Sequence, residues 1–123
     1  MGDSVSKLSR LRKNRLEILD RMASIEEMRR GSVIRQFFKI KHPGMAKPLL
    51  RGPYALYTCK KKGKTIGRRL RRPEEIRHLQ EQVENYHFFQ GLCNELVNVS
   101  EQICDEKDKE QESNHHPYSH RLR

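Results

Sequence analysis

Residues 53 to 73 read PYALYTCKKKGKTIGRRLRRP, and this segment predicts a β-hairpin. Pro53 to Lys60 alternates in polarity, as a half-buried strand does, and Lys64 to Arg72 follows a short turn as a second strand. Gly63 lies in the turn and can adopt the positive φ that short hairpin connections require. The two strands are therefore expected to pair antiparallel.

The hairpin leads into a long predicted helix. Pro73 suits the first position of a helix, and the carboxylates of Glu74 and Glu75 complement the positive end of its dipole. Residues spaced alternately three and four apart then form a predicted coiled-coil seam: Ile76, Leu79, Val83, Tyr86, Gln90, Cys93, Val97, Ser100 and Cys104. Further apolar residues widen this face: Phe88, Phe89, Leu92, Leu96 and Ile103.

Upstream of the hairpin, the sequence predicts a further strand and a further helix. Ser32 to Ile40 (SVIRQFFKI) is rich in β-branched and aromatic residues, whereas residues 41 to 52 hold two prolines and two glycines and are expected to form a loop. A helix from about Lys7 to Arg30, ended by Gly31, would carry five apolar residues on one side: Leu8, Leu11, Ile18, Met22 and Ile25.

Together these elements predict an α+β fold, in which a long N-terminal helix, a three-stranded antiparallel sheet and a long C-terminal helix follow one another. The last helix is expected to pack antiparallel on the first. A chain of 123 residues buries one small core, so we expect a single domain over residues 1 to 104, with its basic sheet at about 32 to 72. Residues 105 to 123 are polar and aperiodic and are expected to form a disordered tail.

Positive charge is concentrated in the middle of the chain. Residues 28 to 73 contain fifteen Lys and Arg residues and no acid, whereas residues 74 to 123 contain five cations and eleven acids. The whole chain has a net charge of +10 and a pI near 9.9. A solvated surface normally mixes both signs, so this pattern predicts an anionic partner, with nucleic acid favoured over acidic protein or membrane.

Strand residues alternate between two faces, so one face of the sheet can be largely cationic. Arg35 and Lys39 would share that face with third-strand residues chosen by the register, either Thr65, Arg69 and Arg71 or Arg68 and Arg72. The opposite face is expected to pack against the helices through Ile34, Phe38, Ile40, Ile66 and Leu70.

Ten cations are the predicted phosphate contacts: Arg35, Lys39, Lys60, Lys61, Lys62, Lys64, Arg68, Arg69, Arg71 and Arg72. Tyr54 and Tyr57 are expected either to stack on unpaired bases or to join the core. The predicted function is that of a small nucleic-acid-binding accessory protein, with DNA favoured over RNA.

The alternative is a coiled-coil adaptor whose seam over residues 76 to 104 recruits another chain or self-associates. Its basic sheet would then dock on an acidic protein. If the seam is longer than the first helix, its last turns, Val97 to Cys104, would be free for such a partner.

The sequence points away from catalysis, metal binding and a cofactor. The acids lie on the predicted helix surfaces and in the tail rather than near the basic sheet, so no nuclease site is visible beside it. Three cysteines, Cys59, Cys93 and Cys104, lack zinc or redox spacing, and the tail histidines His115, His116 and His120 suggest no metal site. Without an apolar run of about 18 residues or a signal-peptide core, the protein is expected to be cytoplasmic.

Several short motifs resemble an uncharacterised family of small prokaryotic proteins, a domain of unknown function. The motifs are Gly31-Ser32-Val33, Arg51-Gly52-Pro53-Tyr54 with Leu56 and Tyr57, Gly63-Lys64 with Arg68 and Arg69, Glu84-Asn85-Tyr86-His87-Phe88-Phe89, and Glu95-Leu96-Val97. The resemblance covers about residues 15 to 105. Many members are encoded near transposon genes, which implies a mobile-element setting.

This chain departs from the family in the loop before the Gly-Pro-Tyr motif. Members commonly have cysteines there, whereas Lys41 to Leu50 contains none, so the resemblance implies no metal site in that loop. The pattern of three strands and a helix is also similar to the arm-site DNA-binding domains of tyrosine recombinases, which is an analogy of fold.

Overall fold

The computed structural model describes residues 3 to 113. Helix α1 (Asp3–Ala23) is followed by strands β1 (Ser32–Ile40), β2 (Leu49–Lys61) and β3 (Lys64–Leu70) and by helix α2 (Pro73–Ser113). The predicted α+β fold is confirmed. The described residues form two compact units: the helical unit contains residues up to Glu26 and from Phe89 onward, and the sheet unit is Glu27–Phe88. Helix α2 therefore contributes residues to both.

The helical unit is an antiparallel pair made from α1 and the C-terminal half of α2, as predicted. Leu11 and Ile18 of α1 form a buried cluster with Leu92 and Val99 of α2. Two ion pairs show that the helices run antiparallel. Nζ of Lys7, near the start of α1, lies 3.4 Å from Oε2 of Glu106. Nη1 of Arg21, near the end of α1, lies 3.7 Å from Oε1 of Glu95. The apolar cluster supplies most of the stability, because ion pairs with a solvent-exposed partner, such as Lys7 and Arg21, contribute little.

The predicted seam is wrong in this half of α2. Val97 is 55% exposed and Cys104 is also exposed, whereas the packed stripe runs one residue earlier, through Leu92, Leu96, Val99 and Ile103. The physical reason is side-chain size and polarity. The leucines, valine and isoleucine of the packed stripe bury more apolar area than the Cys, Val, Ser and Cys of the predicted seam.

The ends of both helices differ from the predictions. Helix α1 stops at Ala23 rather than near Arg30, and the Ser24 hydroxyl donates a hydrogen bond of 2.7 Å to the Arg21 carbonyl at this end. Helix α2 continues to Ser113, so the expected tail is helical over residues 105 to 113. Glu106 is only 3% exposed. Its carboxylate accepts a hydrogen bond from Lys109 and forms an ion pair with Lys7, which holds the added turns of α2 against α1.

In the sheet unit, the strand order is β1-β2-β3 and both pairings are antiparallel. The predicted hairpin is confirmed, because Lys61 pairs with Lys64 and leaves Lys62 and Gly63 as a two-residue turn. Lys62 has φ 52° and Gly63 has φ 78°. Positive φ at both positions gives the turn a twist that matches the flanking strands.

Strand β2 begins inside the predicted loop. Leu49 pairs with Ile40, and the β1–β2 register shifts between Gln36 and Phe38. Gly52 passes β1 at this irregularity with φ +126°, and a Cβ atom there would lie 2.9 Å from the Gln36 carbonyl oxygen. A side chain at residue 52 would thus both strain the backbone and collide with β1.

One face of the sheet packs against the N-terminal half of α2. Ala55 and Leu70, which are register partners, form a buried cluster with Leu79 of α2, and Val33 and Tyr57 pack beside it. We call this side the helix face. It forms the core of the sheet unit, as expected for an antiparallel sheet that is covered on one side.

The predicted division of the sheet into a cationic and an apolar face is wrong. Arg35 pairs with Ala55, which assigns Arg35 to the helix face, although its own side chain is exposed. Ile34 and Phe38, expected to pack with Leu70 on the helices, lie on the other side and are 42% and 41% exposed. The register is the cause. Ala55 and Leu70 lie opposite each other and are both buried against α2. Because strand side chains alternate between faces, the odd-numbered β2 residues from Ala55 to Cys59 belong to the helix face.

In the described part of the chain, neither helix has a stretch that is both long and apolar enough to cross a membrane.

Candidate nucleic-acid interface

The second side of the sheet, which we call the open face, combines apolar and cationic side chains. Ile34, Leu56 and Arg69 are register partners across the three strands and form one row. Gln36 pairs with Tyr54 in the next row on the same side. Because paired residues project to the same side of a sheet, these residues form one continuous surface.

An aromatic and cationic cluster lies at the centre of the open face. The guanidinium carbon of Arg69 lies 3.8 Å from the centroid of the Tyr54 ring. The ring of Phe38 lies 5.4 Å from the Tyr54 ring, centroid to centroid, at an interplanar angle of 40°. Both distances are within the ranges of favourable cation–π and aromatic contacts, so the three side chains support one another. We call them the stacking cluster.

Two further cations accompany the stacking cluster. Arg51 pairs with Phe38, and Lys60 pairs with Thr65 toward the hairpin end of the sheet. Both side chains are exposed. The open face therefore has apolar and aromatic groups in its middle and a cation toward each end of β2.

The hairpin turn adds more positive charge. Lys60, Lys61, Lys62 and Lys64 are all exposed, and among the side chains of residues 6 to 112 no carboxylate lies within ion-pair distance of any of them. The short turn concentrates four lysines within five consecutive residues at one end of the sheet. Such a cluster attracts a polyanion and becomes less repulsive when one binds.

Arg68, a predicted phosphate contact, forms an ion pair within the sheet unit. Its guanidinium donates a hydrogen bond of 2.7 Å to Glu75 in the first turn of α2. This bond holds the pKa of Glu75 below its usual range. Arg68 pairs with Tyr57 and so belongs to the helix face, where it contacts α2 rather than the open face.

The two tyrosines that were predicted to stack on bases or join the core lie on opposite faces of the sheet. Tyr54 belongs to the stacking cluster, whereas Tyr57 packs against the core of the helix face. The Tyr57 hydroxyl donates a hydrogen bond to the Arg30 carbonyl, and burial raises the pKa of this hydroxyl. Gly31 follows at a position where a Cβ atom would contact the Tyr57 ring at 2.8 Å, so residue 31 must be small.

The remaining predicted contacts are exposed but do not join the stacking cluster. Arg35 and Lys39 lie on β1, on the side opposite Ile34 and Phe38. Arg71 and Arg72 connect β3 to α2, and the Arg72 carbonyl accepts a hydrogen bond of 3.0 Å from the Ile76 amide at the start of the helix. Of the ten predicted cations, the register assigns Lys60 and Arg69 to the open face.

Sequence reasoning missed two members of this surface. The sequence places Phe38 on the packed face, and Arg51 is not among its ten predicted phosphate contacts. Their positions depend on the register shift between Gln36 and Phe38. The glycine and proline at 52 and 53 hinted at an irregularity, but no local pattern gives its direction.

A polar cluster holds the segment after α1 against α2 within the sheet unit. Gln82 is buried and accepts a hydrogen bond of 2.9 Å from Arg29 Nε, while its amide nitrogen donates one of 3.0 Å to Glu27. Asn85 donates a further bond of 2.9 Å to the Glu27 carbonyl. This segment leads directly into β1, so the cluster helps to position the first strand.

No group of three His, Cys, Asp or Glu side chains that could hold a metal ion occurs within the described residues. The tail histidines His115, His116 and His120 lie outside them. Cys59, Cys93 and Cys104 are free thiols.

No protein-family model, no curated protein and no solved structure matches this chain.

Proposed function

We propose that the protein binds nucleic acid through the open face of its sheet and the lysines of the β2–β3 hairpin. The observation that carries the proposal is the stacking cluster of Phe38, Tyr54 and Arg69 within a sheet unit whose residues 28 to 73 contain no acid. Cations at the turn attract the phosphate backbone, and aromatic groups on the sheet offer contacts to bases.

The proposed role is binding rather than catalysis. The cations and aromatic rings of this surface are groups that recognise phosphates and bases. The resemblance to a family encoded near transposon genes makes DNA the first ligand to test, and an accessory role in a mobile element is the setting we propose. Electrostatic attraction would bring the protein to DNA before any specific contact forms.

The adaptor alternative receives less support. Leu92 and Val99 of α2 are buried against Leu11 and Ile18 of the same chain, so the main apolar stripe of the helical unit is already covered. A partner helix would have to use the exposed side chains that remain, such as Val97. We therefore expect a monomer, which sedimentation or light scattering would measure.

Fluorescence anisotropy with labelled oligonucleotides at several salt concentrations tests the proposal. If about six phosphates are contacted, log K should fall with log salt at a slope of roughly −4 on single strands and −5 on duplex DNA. Replacing Lys60, Lys61 and Lys64 together by Gln should weaken binding and make this slope about two to three units less steep. The same change at Arg10, Arg12 and Lys13, which are exposed on α1, removes equal charge and should have a smaller effect.

Failure to bind any oligonucleotide at low salt would overturn the proposal and leave docking on an acidic protein as the function to examine. Equal losses in the hairpin and α1 variants would show that net charge alone drives the binding.

A further inference from the structure

We infer that the open face takes single-stranded nucleic acid, with unpaired bases stacked on the cluster of Phe38, Tyr54 and Arg69. This inference rests on the proposed function and narrows it to one class of ligand. Its support is the chemistry and layout of the open face, separate from the total charge of the chain.

The apolar character of the open face does not fit the outside of a duplex. Ile34 and Phe38 are 42% and 41% exposed, and Leu56, half-buried, lies between Ile34 and Arg69 in the same row. A duplex presents charged phosphates and the polar edges of its bases, while the faces of the bases are hidden in the stack. Burying isoleucine and phenylalanine against phosphates would desolvate the anions without an apolar contact in return.

Unpaired bases offer the complementary surface. Each base has a flat, weakly polar face that stacks on aromatic rings and on the guanidinium plane of arginine. The centroid of the Tyr54 ring lies 5.4 Å from the centroid of the exposed Phe38 ring and 3.8 Å from the guanidinium carbon of Arg69. Because these contacts form within the protein, less side-chain freedom has to be lost when a base binds.

The cations of the open face have the layout that a single strand requires. Arg51 and Lys60 lie nine residues apart on β2, with Tyr54 and Leu56 between them. At about 3.3 Å per residue this separation is at most about 30 Å. A strand of a few nucleotides could therefore place bases on the cluster while its phosphates meet Arg51 at one end and Lys60 with the hairpin lysines at the other.

The hairpin lysines alone would not select a single strand, since they recognise any polyanion. Selectivity must come from the stacking cluster, which a duplex cannot satisfy without unpairing. Two separable effects follow: removing lysines lowers affinity for every nucleic acid, whereas removing the aromatic rings lowers affinity only for ligands with accessible bases.

The test uses the full chain and three fluorescent 12-nucleotide probes in equal salt: a thymidine single strand, a mixed-sequence duplex, and an abasic strand with the same phosphates but no bases. We expect the thymidine strand to bind about tenfold or more tightly than the other two, the size of effect that stacking of one or two bases gives. Tyrosine fluorescence should also be quenched by the thymidine strand and not by the abasic strand.

Two substitutions remove the rings but keep apolar volume, namely Phe38→Leu and Tyr54→Leu. Each should lower affinity for the thymidine strand by about fivefold or more and leave abasic binding unchanged. The matched control is Phe37→Leu. Phe37 is 57% exposed and adjacent to Phe38 on β1, but it lies at the register shift and is not part of the stacking cluster. Circular dichroism and the melting temperature of each variant establish that the fold is retained.

The outcomes separate the inference from the proposed function. Equal affinity for single strand, duplex and abasic strand, with a steep salt slope, would overturn the inference and leave nucleic-acid binding intact. Loss of affinity for the abasic strand in Tyr54→Leu would also overturn it, since the effect would then not involve bases. No binding to any probe would overturn both.

Discussion

In the helical unit, two cations of α1 form ion pairs with acids of α2, whereas in the described part of the sheet unit a single lysine or arginine forms an ion pair. Lys7 and Arg21 pair with Glu106 and Glu95 between α1 and α2. Within the described part of the sheet unit, Arg68 is the only lysine or arginine that forms an ion pair. Part of the positive charge of the helical unit is therefore paired within the fold, whereas nearly all of it in the sheet unit remains available to an external anion.

The apolar side chains show the same contrast. Leu92 and Val99 are buried between the helices, as a stable core requires. On the open face, Ile34 and Phe38 stay exposed beside Tyr54, although exposed apolar side chains in a group cost solubility. An exposed group of this kind, next to unpaired cations, is characteristic of a binding surface rather than of a core.

The largest expected effect is on the stability of the helical unit. Leu92→Ala removes a fully buried side chain and should lower the free energy of unfolding by about 2–5 kcal/mol, because it leaves a cavity between the helices. Urea denaturation followed by circular dichroism measures this loss. The control is Leu16→Ala on α1, where the exposed side chain should contribute little. Similar losses in both variants would contradict the assignment of the core.

A smaller effect is expected at the polar cluster of the sheet unit. Gln82→Ala should lower the free energy of unfolding by about 1–3 kcal/mol, because Arg29 and Glu27 both lose a hydrogen-bond partner. Thermal unfolding gives the change, and Glu81→Ala at an exposed neighbouring position serves as the control. If Gln82→Ala unfolds like the wild type, the segment before β1 does not depend on this cluster.

On the open face, reversing one charge sharpens the contrast between the two units. Arg69→Glu removes the cation from the Tyr54 ring and places an anion in the acid-free surface, so affinity for a single-stranded oligonucleotide should fall about tenfold or more. Anisotropy titration measures the loss. Arg15→Glu makes the same change in net charge on α1 and should shift affinity much less. A similar fall in Arg15→Glu would mean that the two units bind alike.

The smallest effect concerns pH. The hydrogen bond from Lys109, together with Lys7, lowers the pKa of Glu106 in the folded protein. A carboxyl with a depressed folded pKa stabilises the fold above its unfolded pKa, and this contribution is lost as pH falls through the folded value. The free energy of unfolding should therefore decrease as the pH falls below about 4.3, the usual pKa of a Glu carboxyl. In the Glu106→Gln variant, this free energy should decrease less steeply with pH. Unfolding curves between pH 3 and pH 7 measure it, with Glu101→Gln, an exposed position on α2, as the control. An unchanged slope in Glu106→Gln would contradict the role of this carboxylate.

Local chemistry made several elements predictable. Gly63 and the adjacent lysines identified the hairpin because a two-residue turn needs positive φ at its centre. Pro73, Glu74 and Glu75 identified the start of α2 for reasons that also lie within one turn of the chain. The helix end at Ala23 was missed, because the segment after it is held by Gln82 and Asn85, which are more than fifty residues away.

The candidate site was only partly predictable. The acid-free segment and the cations Lys60 and Arg69 were visible in the sequence, as was the possibility that Tyr54 stacks on bases. The grouping of Tyr54 with Phe38 and Arg69 was not, because it depends on which strand positions lie opposite each other. A shift of one residue in the register would place these side chains on different faces.

By itself, the sequence determined the order of helices and strands, the hairpin turn and the concentration of positive charge in residues 28 to 73, since all of these depend on neighbouring residues or on composition. Only the tertiary structure decided which sheet face is covered, which stripe of α2 is buried, and that Arg68 contacts Glu75 while Arg69 contacts Tyr54. The physical reason is that adjacent strand residues point in opposite directions. Their surroundings are set by pairing with distant segments, and a local pattern carries little information about that pairing.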